Sequence, residues 1–267
     1  MSLHTNVRSQ LLETLNKQPV QEISELNNAL RLLSKWRSVL IQNTLLQQQG
    51  TVVMEGPLKG LDFLTHSAEG CHIAKLLGCY EQPLLPFIEQ AIQTNYSTII
   101  NIGCAEGYYA VGMARYMPNT KVFAFDLNPK AQDICSGLAK KNSVSDQVSV
   151  GALFMPENFA DYANQKVLVF CDIEGGEKDL LNPSISPALK QMDLIVESHE
   201  CLIPGITQLL IDRFKDSHDI VLIEDNGQRQ LANSPEWFNS LPHLDQLLAT
   251  WEWRSGPTPW LVMKAKN

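Results

Sequence analysis

The sequence predicts an α/β fold built on a mostly parallel sheet covered on both faces. Three observations carry this. Short apolar, β-branched runs recur at 98–102, 121–126, 147–152, 167–172 and 193–198. Helical patterns fall between and after them, at 107–117, 129–142, 176–182 and 204–216. The first run ends in two glycines four residues apart, Gly103 and Gly107, and a helical pattern follows at once. Strands alternating with helices imply right-handed crossovers and a ligand crevice at the carboxyl ends of the strands. Two further strands are predicted at 219–224 and 258–265.

The segments before the first strand read differently. Residues 5–48 read as helix, with Ser24 as an N-cap. Leu26, Leu30, Leu33, Trp36, Val39 and Leu40 recur near helical spacing. Such a stripe is expected to pack on its own domain, with a homodimer contact as the alternative. Residues 51–65 read as two short strands around Gly56-Pro57 and Gly60. A helix is predicted over 81–94, with Pro83 and Pro86 in its first turns.

The 267 residues are long enough to bury a sizeable core. The formal net charge is −8, which argues against a nucleic-acid partner held by phosphate contacts. An anionic small ligand held by backbone amides remains compatible with it. The six cysteines form no C-x-x-C pair and no zinc-ligand spacing with histidine. They read as reduced thiols, mostly buried. The N-terminus shows no signal pattern, and no apolar run approaches the ~20 residues that span a bilayer. The expectation is a cytoplasmic protein without a membrane partner.

The chemistry concentrates at four strand ends. The loop Gly103-Cys-Ala-Glu-Gly107 has the spacing G-x-A-x-G, a poor match to a dinucleotide fingerprint, which needs glycine close to a pyrophosphate. It suits a bulkier or zwitterionic ligand. Phe123-Ala-Phe-Asp126 ends the second strand, and a carboxylate there can accept hydrogen bonds from two ribose hydroxyls. Its other reading is a cap for the helix beginning at Pro129. The fourth strand delivers Asp172, Glu174 and Glu177 around two glycines. Like charges so close raise one another's pKa, and such clusters mark functional sites. Glu177 and Asp179 also suit the N-terminus of the next helix. The fifth strand ends in Glu197-Ser-His199-Glu200. Glu197 and His199 share a face and can meet Asp172 across the adjacent strand end. That gives either a general base, His199, or a divalent-cation site from Asp172, Glu197 and His199. Of the two, the ion is the less expected.

Four stretches together resemble the FkbM-type methyltransferases: NIGCAEGYYAVG (101–112), VFAFDLNP (122–129), CDIEGGE (171–177) and IVESHE (195–200). The stretches GPLKGLDFL (56–64) and KLLGCYE (75–81) are similar to the lead-in of a subgroup. The resemblance implies a Rossmann-like class I methyltransferase fold, with a seven-stranded, mostly parallel sheet whose last strand is antiparallel. It implies S-adenosylmethionine as cofactor, and an acceptor that is a small-molecule or glycan hydroxyl. It divides the chain into a helical arm (1–49), a lead-in hairpin and helix over the crevice (50–96) and the cofactor domain (97–267). Gly103, Ala105 and Gly107 would line the methionine part, Asp126 would hold the ribose, and Leu153 and Phe154 would flank the adenine. Tyr80 and Glu81 would come over the crevice. Asp172 and Glu174 would face its reactive end with His199 nearby, making these three the candidate catalytic residues; Asp172 and Glu81 would also touch the cofactor. The class often carries an acid where this chain has Asn101, which accepts a hydrogen bond without charge. Trp253, Arg254 and Trp260 would line the acceptor site or serve as core. The rivals are a cofactor-binding scaffold without turnover and an NAD-dependent oxidoreductase. The acids at 172–177 speak against the latter.

Overall fold

The computed structural model describes residues 2–17, 22–67, 71–254 and 256–266. The arm forms two helices, α1 (Leu3–Leu15) and α2 (Glu22–Gln49), rather than one. Ser2 caps α1 by accepting from the Thr5 amide. Ser24 is not a cap, because α2 already begins at Glu22. Residues 18–21, where one helix was expected to continue, lie outside the described residues.

The apolar stripe of α2 does not pack inward. Leu26 and Leu30 are 63% and 64% exposed. The buried face instead carries Glu25, Ala29, Ser38, Ile41 and Leu45. The reason lies in what α2 meets. Ser38 donates to the Leu248 carbonyl, and Arg37 binds Asp245 through Nε at 2.8 Å. Both partners belong to a helix late in the chain, so the inward face combines small, polar and apolar side chains.

The expected pair of strands over 51–65 reduces to one antiparallel bridge, Val52 with Asp62. Turns at Gly56 and Gly60, both with positive φ, leave no length for a ladder. Then follow α3 (His72–Leu77), a 3-10 turn (Gln82–Leu84) and α4 (Leu85–Gln93). The predicted helix over 81–94 thus starts as a tighter turn. Glu81 before it has φ 51, outside the helical region.

From here strand and helix alternate as predicted: β1 (Thr98–Ile102), α5 (Tyr108–Ala114), β2 (Lys121–Phe125), α6 (Pro129–Lys141), β3 (Val148–Gly151), β4 (Val167–Cys171), α7 (Glu177–Leu180), β5 (Asp193–Glu197), α8 (Ile206–Phe214) and β6 (His218–Ile223). Two short helices follow, α9 (Glu236–Asn239) and α10 (His243–Thr250), then β7 (Trp260–Ala265). The sheet order is β3-β2-β1-β4-β5-β7-β6. The strands are parallel except β7, which runs antiparallel to both β5 and β6.

β1 and β4 are buried throughout, as central strands covered on both faces must be. Alternate residues serve opposite faces. Ile99, Leu168, Phe170 and Ile195 join α3, α5 and α6 in one core. Ile100, Val169, Cys171 and Val196 join Leu210 and Phe214 of α8 in the other. Trp260 is buried in the first of these cores, its ring 5.1 Å from Phe170, which bears out its core reading.

The register sets the site. Ile102 pairs with Phe125 on one side and Cys171 on the other, and Cys171 pairs with Val196. The residues just beyond these, Gly103, Asp126, Asp172 and Glu197, therefore emerge at one level across four strands.

The lead-in segment holds a titratable group of its own. His72 is buried, and its Nε2 donates to the Leu64 carbonyl at 2.7 Å. Burial pulls its imidazole down to about 4. Unfolded, the ring takes up a proton near pH 6.5. Stability from this source is complete above about pH 6.5 and is lost as pH falls toward 4. A shift of that size corresponds to about 3 kcal/mol. His72→Gln is expected to flatten this acid loss between pH 7.5 and 4.5, measured as the difference in urea-unfolding free energy.

Candidate active site

The glycine loop after β1 is shaped by contact with the end of β4. A Cβ on Gly103, which has φ +77, would lie 1.6 Å from the Asp172 carbonyl oxygen. No side chain fits there. Ala105 adopts φ 44, a left-handed conformation that residues with a Cβ rarely take. It is held there by Asp126, whose Oδ2 accepts from the Ala105 amide at 2.9 Å. Oδ1 of Asp126 accepts from the Asn128 amide at 2.8 Å. The helix cap of α6 itself is Asn128. Asp126 thus ties the ends of β1 and β2 together and presents its carboxylate between them.

A cavity of about 490 Å³ opens at these strand ends. Asp126, Leu153, Phe154, Asp172 and Glu174 line it with Gly103. Phe154 is buried edge-on against Phe125 and Phe159, at 4.9 and 4.8 Å between ring centres. Leu153 forms the exposed rim. A second, smaller cavity of about 40 Å³ shares Gly103 and Asp172 with the first. Ala105, Asn101, Lys75 and Tyr109 line it. Beside it Lys75 and Glu106 form a buried ion pair at 2.7 Å. Gly107 and Glu81 line neither cavity. Gly107 instead gives α5 its start, where a Cβ would meet Cys135 Sγ at 2.7 Å.

The sequence-predicted acids and histidine do converge. His199 is buried, and its Nδ1 lies 2.8 Å from Glu177 Oε1. Its Nε2 faces Asp172 Oδ1 at 3.4 Å, Glu174 Oε2 at 3.6 Å and Glu197 Oε2 at 3.6 Å. Burial opposes a charged imidazole, but the Glu177 hydrogen bond and the charges of Glu197, Glu177 and Glu174 outweigh it and hold the pKa above the usual value. Burial and the adjacent Glu197 push the Asp172 carboxyl well above the carboxylate range. Glu174 sits on a strained backbone, φ 52, with its side chain 76% exposed to the cavity.

Glu177 does more than the helix-terminus reading assigned to it. It is fully buried, it accepts from the Ile173 amide, and its Oε2 has no hydrogen-bond partner among the described residues. Burial opposes its charge, yet the His199 bond keeps its pKa below the ordinary value.

Arg254 is tied into this cluster by its acids. It binds Glu81 through Nη2 at 2.5 Å, Glu197 through Nη1, and Glu252 through Nε at 3.2 Å. Glu252 also takes Arg229 at 2.6 Å and the Glu81 amide at 2.7 Å. Tyr109 donates its hydroxyl to Glu81. Burial, with Glu197 and Glu252 nearby, raises the Glu81 carboxyl to about 7 despite Arg254. Trp253, next to Arg254, has φ 65 and lies under Lys35 of α2, whose Nζ is 5.0 Å from the ring centre. Sequence patterning missed Arg229 and Glu252 because residues 224–259 carry no long period, and neither their pairing 23 residues apart nor the bond of Glu252 to the Glu81 amide, 171 residues away, leaves a local signal.

No family model matches the chain, and no curated protein does. Solved structures do. An O-methyltransferase from Bacillus cereus in complex with SAH is 15% identical, with 70% of this chain and 81% of that chain covered and a TM-score of 0.45. The O-methyltransferase TomG from Streptomyces achromogenes, in complex with SAM, is 12% identical over 70% and 80%, with a TM-score of 0.48. A precorrin-6y C5,15-methyltransferase from Geobacter metallireducens is 12% identical over 68% and 89%, with a TM-score of 0.42. The fold assignment rests on the strand order and directions: a seven-stranded, mostly parallel sheet with an antiparallel last strand, the architecture of the Rossmann-like class I methyltransferase fold.

Removing one partner from a buried ion pair leaves a charge stranded, at about 3–5 kcal/mol. Arg254→Met strands both Glu81 and Glu197. It is expected to lower stability by about that amount in urea unfolding, whereas Lys215→Met, at an exposed pair with Asp212, should leave the unfolding midpoint unchanged.

Proposed function

We propose that this chain is an S-adenosylmethionine-dependent methyltransferase of the FkbM type, acting on a hydroxyl of a small molecule or glycan. One observation carries the reading. A single cavity runs from the Asp126 carboxylate and the Leu153–Phe154 wall to Asp172 and Glu174, which flank buried His199. A nucleoside-sized ligand fits its first half, with a carboxylate for vicinal hydroxyls and an apolar wall for a base. A cluster of carboxyl groups around one imidazole occupies its other end.

S-adenosylmethionine, when bound, supplies an electrophilic methyl group on its sulfonium sulfur. Asp126 accepts hydrogen bonds from the ribose hydroxyls, its oxygens already oriented by two backbone amides. Gly103 and Ala105 would let the chain approach its methionine part closely, and Asn101 and Asp172, which line the smaller cavity, would face its polar end. Glu81 supports this end indirectly, through Tyr109 and Arg254. Asp172 and His199 hold the acceptor oxygen. Glu174, the most exposed of the acids, takes its proton. Such general-base help is worth about 10²–10⁴-fold, and alignment of the reactants supplies most of the rest.

The net charge of −8 supports an acceptor other than nucleic acid. Among the described residues no helix is long and apolar enough to cross a membrane. The six cysteines are free, five of them buried, which supports a reducing, cytoplasmic setting. Ile23, Leu26, Leu30 and Leu33 form an exposed row on α2 with the 3-4-3 spacing of a helical seam. This supports a homodimer through the arm, and Leu30→Glu is expected to convert it to a monomer in light scattering.

The functional reading is tested by calorimetric titration with S-adenosylhomocysteine and NAD. Micromolar binding of S-adenosylhomocysteine is expected, weakened roughly ten- to a hundredfold by Asp126→Ala, as for loss of charged hydrogen bonds. Unfolding curves verify that the variant is folded. Binding of NAD alone, or of neither ligand, sinks the reading.

A further inference from the structure

We infer that Asp172, Glu197 and His199 form a binding site for a divalent first-row metal cation, Zn²⁺ or Mn²⁺, at the acceptor end of the crevice. The ligand atoms of these three residues all lie within 4.8 Å of one another. Nε2 of His199 stands 3.4 Å from Asp172 Oδ1 and 3.6 Å from Glu197 Oε2. A hydrogen bond from an imidazole N–H would draw one carboxylate in to about 2.7–3.2 Å. None is that close. Ligands about 2.1 Å from a tetrahedral ion are instead separated by about 3.4 Å from one another.

The groups behind the ligands support the same arrangement. Buried Glu177 holds Nδ1 at 2.8 Å and so leaves Nε2 turned toward the acids. This is the carboxylate–histidine pairing that orients metal-bound imidazoles. Arg254 occupies Oε1 of Glu197 and leaves Oε2 on the His199 side. Both buried ligands thus have a partner that fixes them, while Asp172 opens to the cavity. The charge balance points the same way. Asp172, Glu174, Glu177 and Glu197 surround one imidazole, and Arg254 is shared with Glu81 and Glu252. One imidazole with two carboxylates suits Mn²⁺ or Zn²⁺ better than an all-oxygen cage for Ca²⁺. The ion's role rests on the proposed methyl transfer: it would acidify an approaching hydroxyl and leave Glu174 free as the proton acceptor. Its binding does not rest on that reading.

The test uses EDTA-treated, dialysed full-length protein, titrated with MnCl₂ or ZnCl₂ in two buffers of different ionisation heat. One ion per chain is expected, with proton release. His199→Gln and Asp172→Asn should each weaken binding at least tenfold, and Asp219→Asn, on the exposed β6 edge, should leave it unchanged. Two variants are used so that loss of fold in one does not decide the matter. No saturable binding to the wild type overturns the site, as does unaltered binding to a folded His199→Gln. S-adenosylhomocysteine is titrated separately in EDTA. If it binds while the ions do not, the cation site fails and the methyltransferase reading stands. If the ions bind and it does not, the site stands without that reading.

Discussion

At the end of β1 the backbone passes so close to the end of β4 that no side chain can stand between them. Gly103 is pressed against the Asp172 carbonyl, while the Asp172 amide donates to Ile102 and the Gly103 amide to Phe125. Three strand ends are thereby locked at one height. Everything functional hangs from this. The left-handed turn at Ala105, the placement of Asp126 and the emergence of Asp172 into the cavity are consequences of a crossing that only glycine permits.

A second constraint closes the site from behind. Glu81 precedes α4, Glu197 ends β5, and Asp225 and Glu252 bound the long connection between β6 and β7. These acids come from sequence positions more than 170 residues apart, and two arginines, Arg254 and Arg229, gather them. Burying such a network has a desolvation cost that a hydrophobic cluster would avoid. What it provides is orientation. Arg254 fixes Glu197, Glu197 faces His199, and His199 is held from its other nitrogen by Glu177. Of the five described residues with a Cβ and a positive φ, Glu81, Ala105, Glu174 and Trp253 fall around this site, and only Ser143, just after α6, lies elsewhere, as expected where surrounding structure over-determines a local geometry.

The alternating half of the chain was legible because its signals are local. A run such as Thr98–Ile102 names a buried strand, and Gly103 and Gly107 name the turn. Asp172, Glu174, Glu197 and His199 were found from strand-end position alone, since register brings equal depths together. The rest was written in contacts. The stripe Leu26, Leu30, Leu33 has helical spacing, but spacing does not say which face is inward; Ser38 marks that face only once α10 is seen against it. The lead-in over 51–65 has strand-like composition, yet the turns at Gly56 and Gly60 leave one bridge. Trp260 was ambiguous until its packing on Phe170 placed it in the core.

The two halves of the crevice differ in how they handle charge. Around Asp126 the backbone supplies the partners, through the amides of Ala105 and Asn128, so the carboxylate is neutralised by dipoles and stays available to a neutral ligand. Around His199 the partners are other charges, and negative ones predominate. A site of the first kind binds and orients. A site of the second kind holds an excess of negative potential in a partly desolvated place, where electrostatic effects are stronger than in water. It favours a species that is positive or that gives up a proton; behind the same arginine, burial first and the charges of Glu197 and Glu252 second raise Glu81 to about 7. The crevice thus sets a dipole-neutralised half against a charge-rich half across Gly103 and Asp172, the two residues whose backbone contact fixes the distance between them.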